Sequence, residues 1–424
     1  MGRREHGLRK IRRALLGGLA GGLLAIAPAW SQQLAPEVIE QFLADPTQDQ
    51  VRDPLLPQPP IRRPLSPLEK LALEQQLDRL NQEAQRLLAA GQADAAFDLW
   101  MREVRLRRTI SLSQELAALR RVSQNIWEQG RTYENQLVRA RLQQLQAEAL
   151  AAEPVNLPLL ETIGAIYLTL RDQPGAVELY RQIAAVQVER GNRQGQVAAL
   201  ERVGQLQLDW FEHVAAAETY QELLAIAPPQ NVSAIEAYLE NIVYGYSQAE
   251  AAAEAIPYQQ QLIEVYQAQG KLTAVPQVQL AIARHYQALG QRNQALRAYQ
   301  AAYATAQATQ QYDYGSQVLR ELATLYQSLD QFEAALDIYR ILLQVERQTY
   351  NAYGIMETYD RIGQVYRTQG KTAEARTAFQ EALILATQLS HQESYFQAQL
   401  RSLTQAPPAA DPAAETDWRS GSTL

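Results

Sequence analysis

Apolar residues along the middle of the chain recur with the spacing of amphipathic α-helices. Leu319, Leu322 and Tyr326 are separated by three and four residues, and the same spacing recurs from 336 to 343. Side chains at these intervals share one face of a helix, so each run predicts a helix that buries a single apolar stripe. Strong helix formers dominate the composition, while Gly and Pro occur in a few clusters. The pattern predicts an all-α fold.

Three series of residues repeat this pattern with a period of about forty residues. The first is an aromatic residue near the end of one helix: Trp127, Tyr167, Tyr246, Tyr286, Tyr326 and Tyr366, with Leu87 and Gln207 as departures. The second is a small residue nine positions later: Ala96, Ala176, Ala216, Ala255, Ala295, Ala335 and Ala375, with Gln136 as the exception. The third lies four positions further on: Trp100, Tyr180, Tyr220, Tyr299, Tyr339 and Phe379, with Ala140 and Gln259 departing.

Each series has a packing role. A small residue lets the second helix of a pair approach the first, and the aromatic rings fill the space between successive pairs. Ser66 to Glu69 form a capping box at the start of the first long helix. Turn glycines such as Gly370 follow the ends of helices, where a left-handed residue is needed. These features predict an α-solenoid of about eight helix pairs within residues 67–404.

The best-formed unit, with Ile362-Gly363, Tyr366, Gly370, Ala375, Phe379 and Ala382, resembles the tetratricopeptide repeat (TPR). The resemblance covers roughly 77–395, although a period of forty exceeds the family norm of about 34 residues and is similar to kinesin-light-chain-type arrays. It implies a right-handed superhelix whose concave groove is lined by the first helix of each pair. A helix near 392–403 would then cap the solenoid.

The two ends of the chain differ from this array. Residues 1–31 join a basic stretch, a short apolar run and Ala-Trp-Ser, the pattern of a signal peptide. This pattern predicts export to the periplasm or an equivalent lumenal space; the alternative is an uncleaved membrane anchor. Residues 32–66 are rich in proline and predict an extended linker, with a short amphipathic helical turn at 36–44. The polar tail 405–424 is predicted to be disordered.

Composition and motifs exclude several functions. The chain has no cysteine and a net charge of −7, which argues against thiolate chemistry and nucleic-acid binding. His6, His213, His285 and His391 are scattered, and no metalloprotease motif, phosphate-binding loop or nucleophile elbow is present. We therefore predict neither an enzyme nor a cofactor site nor a small-molecule substrate.

Charged and polar positions on the first helices define a candidate peptide-binding groove. Glu161, Glu201 and Glu240 occupy equivalent positions in successive units and form an acidic ladder, which would suit a basic peptide or hard cations such as metal ions. Arginines gather toward the C-terminal end and would hold a peptide carboxylate. The predicted groove residues are Arg284, Arg320, Arg361, Arg367, Asn125, Gln205, Tyr244 and Gln364. The alternative for both clusters is an ordinary solvated helix face.

These features predict a scaffold or assembly factor that binds a protein or peptide in an exported compartment. The chain is also similar in style to exported cyanobacterial TPR proteins, and that similarity implies a second hypothesis, a periplasmic photosystem II assembly factor that handles manganese. A third hypothesis is a repeat protein of the cell envelope, tethered to the membrane if the signal is retained.

Overall fold

The computed structural model describes residues 34–49, 52–58 and 63–404, and within these ranges all regular structure is helical. The chain divides into two compact units, residues 1–179 and 180–424. The predictions for residues 1–31 and 405–424 concern parts of the chain outside the described residues. No helix in the described ranges has both the length and the apolar character needed to span a membrane.

The first unit contains six complete helices and the start of a seventh. They are α1 (Pro36–Leu43), α2 (Pro67–Ala89), α3 (Ala93–Arg107), α4 (Leu112–Glu128), α5 (Thr132–Ala151), α6 (Leu157–Thr169) and α7 (Gln173–Glu189). Ser66 caps α2 by accepting a hydrogen bond from the Glu69 backbone N–H, and the Glu69 side chain accepts one from the Ser66 backbone. The predicted capping box is therefore present.

The second unit continues the same alternation of helices and short turns. It contains α8 (Arg193–Asp209), α9 (His213–Ile226), α10 (Val232–Gln248), α11 (Ala252–Ala268), α12 (Val275–Ala288), α13 (Arg292–Ala308), α14 (Tyr312–Ser328), α15 (Phe332–Gln348), α16 (Ala352–Thr368), α17 (Thr372–Leu389) and α18 (Glu393–Ser402). A single 3₁₀ turn, Leu272–Ala274, precedes α12. Successive helices pack against one another, and α18 packs on α17. The predicted all-α repeat fold is confirmed.

The small-residue series explains how the helix pairs close. All seven of its alanines have 0% exposed surface. In the last pair, a Cβ placed on Gly363 would lie 2.7 Å from the Phe379 ring, so α16 and α17 meet at a contact that only glycine allows. Small residues therefore set the distance between paired helices, as predicted.

The first aromatic series is less uniform than predicted. Tyr167 and Tyr246 are buried, and the aromatic members from 286 onward are half-buried. Trp127 is 55% exposed, and its ring is covered on one face by the guanidinium of Arg171, 5.8 Å from the ring centroid. Trp127 is thus a surface residue rather than a packing residue.

The proline-rich segment before α2 is docked on the first unit. Phe42 and Leu56 are buried, and α1 packs against α5. The Arg102 side chain donates two hydrogen bonds to the Asp53 carboxylate, at 2.6 and 2.7 Å. The proline content of residues 32–66 predicted an extended linker here. Proline content does not reveal the role of the apolar side chains between the prolines. These side chains, such as Phe42 and Leu56, anchor the described parts of the segment.

Candidate binding surfaces

All three carboxylates of the acidic ladder are exposed. Glu161 lies on α6 in the first unit, and Glu201 and Glu240 lie on α8 and α10 in the second. Tyr238 Oη donates a hydrogen bond of 2.7 Å to Glu201, and Tyr266 Oη donates one of 2.7 Å to Glu240. Burial, followed by these hydrogen bonds, raises the pKa of both tyrosine hydroxyls above the usual value. Each tyrosine therefore fixes the direction of one surface carboxylate.

The arrangement of these carboxylates bears on the metal hypothesis. Among the described residues, no three His, Asp or Glu side chains converge as metal ligands. Hard cations such as Mn²⁺ require several oxygen ligands at one point. In the second unit, the ladder is a row of individual acceptors for hydrogen bonds and ion pairs.

The predicted polar groove residues lie in varied settings. The Asn125 side-chain amide is half-buried and donates to the Arg121 carbonyl at 3.0 Å. Gln205 is exposed on α8 and donates to Asp209 at 2.7 Å. Tyr244 is 49% exposed on α10. In the second unit, Gln205 and Tyr244 thus extend the acidic surface of α8 and α10 with side chains that solvent reaches.

Three of the four predicted arginines already bind side chains of other helices. Arg284 pairs with Glu321 at 2.5 Å, and Arg320 pairs with the fully buried Glu346 at 3.1 Å. Arg367 donates to the Gln399 side chain at 2.5 Å. These partners lie on neighbouring helices. These three arginines therefore contribute to contacts between helices of the array.

Arg361 differs from the other three. It is exposed on α16 and forms neither an ion pair within 4.0 Å nor a side-chain hydrogen bond with any described residue. It lines a cavity of about 380 Å³. The cavity is lined by Arg320, Tyr339, Leu342, Glu357, Thr358, Asp360, Arg361, Gln392 and Tyr395. We name this cavity, between α14, α15, α16 and the start of α18, the C-terminal cleft.

Hydrogen bonds preorganise the floor of the C-terminal cleft. The half-buried Asp360 carboxylate accepts hydrogen bonds from Tyr395 Oη at 3.1 Å and from the Gln364 amide at 3.1 Å. Burial raises the pKa of the Asp360 carboxyl, against the lowering effect of these bonds and of the Arg361 charge. The Asp360 carboxylate is thus already hydrogen-bonded to Tyr395 and Gln364 within the protein. The guanidinium of Arg361 remains available to pair with an incoming carboxylate through two parallel hydrogen bonds.

The polar departures from the repeat series are buried or half-buried, and each has a hydrogen-bond partner. Gln207 accepts a hydrogen bond from Thr219 at 2.7 Å. Gln259 lies 3.1 Å from the Nδ1 atom of His285, and burial lowers the pKa of that histidine. Gln136 accepts a hydrogen bond from the Leu34 backbone N–H at 2.9 Å and so helps to dock the N-terminal segment. These departures were visible in the sequence, but their partners were not.

Comparison with known proteins supports the repeat assignment. Residues 316–388, which fall within α14 to α17, match the family model of the tetratricopeptide repeat. The TPR resemblance drawn from the sequence is confirmed. This matched region contains four of the predicted groove residues, Arg320, Arg361, Gln364 and Arg367. None of the curated proteins matches the sequence significantly.

Several solved structures are similar to this chain. BtubC (BKLC) from P. vanneervenii is 16% identical, with 60% of this chain and 95% of that chain covered and a TM-score of 0.35. A protein assigned as a kinesin light chain in Podosopora anserina, with nearly identical TPR-like repeats, is 18% identical over 52% and 96%, with a TM-score of 0.33. A Rap protein in complex with Competence and Sporulation Factor is 11% identical over 78% and 97%, with a TM-score of 0.30.

Proposed function

We propose that this chain is a non-enzymatic scaffold that binds an extended segment of a partner protein, with a carboxylate of that segment held in the C-terminal cleft. The observation that carries the proposal is the state of Arg361. Among the four arginines predicted to hold a peptide, it is the one with neither an ion pair nor a side-chain hydrogen bond to a described residue, and it lines a cavity of about 380 Å³. Guanidinium groups are well suited to planar recognition of carboxylates.

The walls of the cleft support binding of a peptide rather than of a compact ion. The half-buried Tyr395 contributes ring surface, and the exposed Glu357 and Gln392 contribute polar groups. Three further lining residues are buried: Tyr339, Leu342 and Thr358. Recognition sites combine such apolar lining with a few polar groups that fix orientation. An acidic side chain or a chain terminus would pair with Arg361 while its neighbours pack against the walls.

The compartment forms part of the same proposal. The basic, apolar and small-residue pattern of residues 1–31 supports export to the periplasm or an equivalent space. Sequencing the N-terminus of the protein recovered from that fraction tests this directly. A chain that begins after Ser31 supports export with cleavage. An intact N-terminus in the membrane fraction supports the tethered alternative.

Capture with matched variants tests the binding surface. Wild-type protein, Arg361→Gln and Arg376→Gln are crosslinked to the exported fraction, and the bound proteins are identified by mass spectrometry. Arg376 is an exposed arginine on α17 outside the cleft lining and provides the control. We expect one partner to be lost with Arg361→Gln and retained with Arg376→Gln. Capture that is unchanged by Arg361→Gln would contradict the assignment of the cleft.

A further inference from the structure

The turn between α8 and α9 exposes a cluster of aromatic side chains. Trp210 is 40% exposed, Phe211 80% and Tyr244 49%. The Phe211 and His213 rings meet edge to face at 6.0 Å, and the His213 and Tyr244 rings do so at 5.9 Å. These four residues form a surface that joins the turn to α10. We name it the aromatic edge.

The backbone conformation of Phe211 is unfavourable for its residue type. Its φ angle is +60°, in the left-handed region where a bulky side chain is disfavoured. The equivalent turns after α12 and α16 have Gly290 and Gly370 at this position, and the turn after α14 has the polar Asp330. A phenylalanine here strains the backbone and leaves 80% of its surface exposed.

A close contact between helices holds the aromatic edge in place. A Cβ on Gly245 would lie 2.6 Å from the His213 carbonyl oxygen, so α10 passes the start of α9 at backbone distance. This contact positions Tyr244, the residue before Gly245, against His213. The aromatic edge is thus set by backbone packing and is formed before any partner arrives, which reduces the cost of binding.

The sequence that contains the aromatic edge is strongly acidic, with the exposed Arg202 on α8 just before it. Residues 203–270 contain nine Asp or Glu residues and no Lys or Arg. Two of these carboxylates pair with cations from the flanking sequence, Glu222 with Arg181 at 3.2 Å and Glu236 with Lys271 at 2.6 Å. Glu212 also has a partner. Asp209 is exposed beside Trp210, and Glu240 is exposed one helical turn before Tyr244. Such a surface attracts cationic segments and repels acidic ones.

We propose that the aromatic edge binds a basic segment of a partner protein, with an arginine or lysine stacked on Phe211 or Tyr244 and paired with Asp209. Cations bind to aromatic faces, and arginine stacks on them particularly well. The charge preference is opposite to that of the C-terminal cleft, and the residues are different. The aromatic edge is therefore a second interaction surface, and its occupation does not depend on the cleft.

Fluorescence anisotropy tests this surface with defined probes. The probe is a labelled ten-residue peptide that alternates arginine and leucine, and the matched probe has glutamate in place of arginine. We expect the arginine peptide to bind the full chain and to bind more weakly as salt increases. Phe211→Gly should weaken binding by about five- to tenfold, the order of one cation–π contact. Tyr244→Ala should weaken it to a similar extent.

A matched variant separates binding from backbone effects. Asp330→Gly changes the same left-handed turn position in another helix pair, and it should leave the affinity unchanged. Both glycine variants should melt at or above the wild-type temperature, which shows that they are folded. Failure of the arginine peptide to bind, equal binding of the glutamate peptide, or an equal loss in Asp330→Gly would overturn the proposal. So would a wild-type dimer in sedimentation that Phe211→Gly abolishes, because the occupant would then be a second copy.

Discussion

Glu103 in the first unit is completely buried and pairs with Arg107 at 2.7 Å and Arg121 at 2.5 Å. Glu201 in the second unit, by contrast, lies at the surface and accepts a hydrogen bond from Tyr238. The buried carboxylate of the first unit is surrounded by its own cations. The surface carboxylate of the second is oriented by a neutral hydroxyl and keeps its charge uncompensated. The two arrangements have different consequences for stability and for binding.

The contrast shows which charges are structural. A charge buried beside its partner stabilises only while the pair is intact. Glu115, nearly as buried, repeats the arrangement with Arg108 and Arg141, and Glu346 with Arg320 is a counterpart in the second unit. Carboxylates held by tyrosine hydroxyls, such as Glu201 and Glu240, remain accessible to a partner. Burial and pairing, rather than charge alone, separate packing residues from candidate binding residues.

The largest expected effect is the loss of the buried carboxylate. Glu103→Gln leaves Arg107 and Arg121 without their shared counter-charge inside the first unit. We expect the free energy of unfolding to fall by about 3 kcal/mol or more, measured by chemical denaturation. Glu83→Gln, which removes the exposed pair with Arg86, should cost less than about 1 kcal/mol. Equal effects would show that the buried pair has no special role.

An intermediate effect is expected for the contact between Gly363 and Phe379 in the second unit, which involves no charged group. Gly363→Ala places a methyl group 2.7 Å from the Phe379 ring and should destabilise the protein by about 1–3 kcal/mol. Gly315→Ala is the matched change, because its Cβ would make an ordinary 3.7 Å contact with Tyr303. Alanine favours a helix over glycine by about 0.5–1 kcal/mol, so this variant should be neutral or more stable. Thermal melts should show a lower melting temperature for Gly363→Ala and an unchanged or higher one for Gly315→Ala.

The smallest effect is expected for the tyrosine that orients a surface carboxylate. Tyr238→Phe removes one hydrogen bond to Glu201 and should cost about 0.5–1.5 kcal/mol, because water replaces the hydroxyl at an exposed oxygen. Tyr312→Phe changes an exposed hydroxyl on α14 and serves as the control. A loss as large as that of Glu103→Gln would mean that both units depend equally on their polar pairs.

Much of the repeat architecture could be predicted from local sequence. The alanine series, the capping box at Ser66 and the turn at Gly370 each depend on residues within one helix pair, so their spacing was sufficient. The binding surfaces could not be predicted in the same way. Arg320 and Arg361 both lie on the first helix of a pair and both line the C-terminal cleft. Nevertheless, Arg320 is paired with Glu346, and Arg361 has no such pair among the described residues.

The sequence by itself determined the helical class, the forty-residue pattern, the small-residue contacts and the confirmed resemblance to tetratricopeptide repeats. Tertiary structure decided that the described parts of the proline-rich segment are docked, that Trp127 is exposed and that most predicted groove arginines are engaged. The physical reason is distance along the chain. Helix periodicity depends on residues three or four apart, whereas the partner of Arg284 lies thirty-seven residues away. Such pairings form only when the packing of repeats brings two faces together.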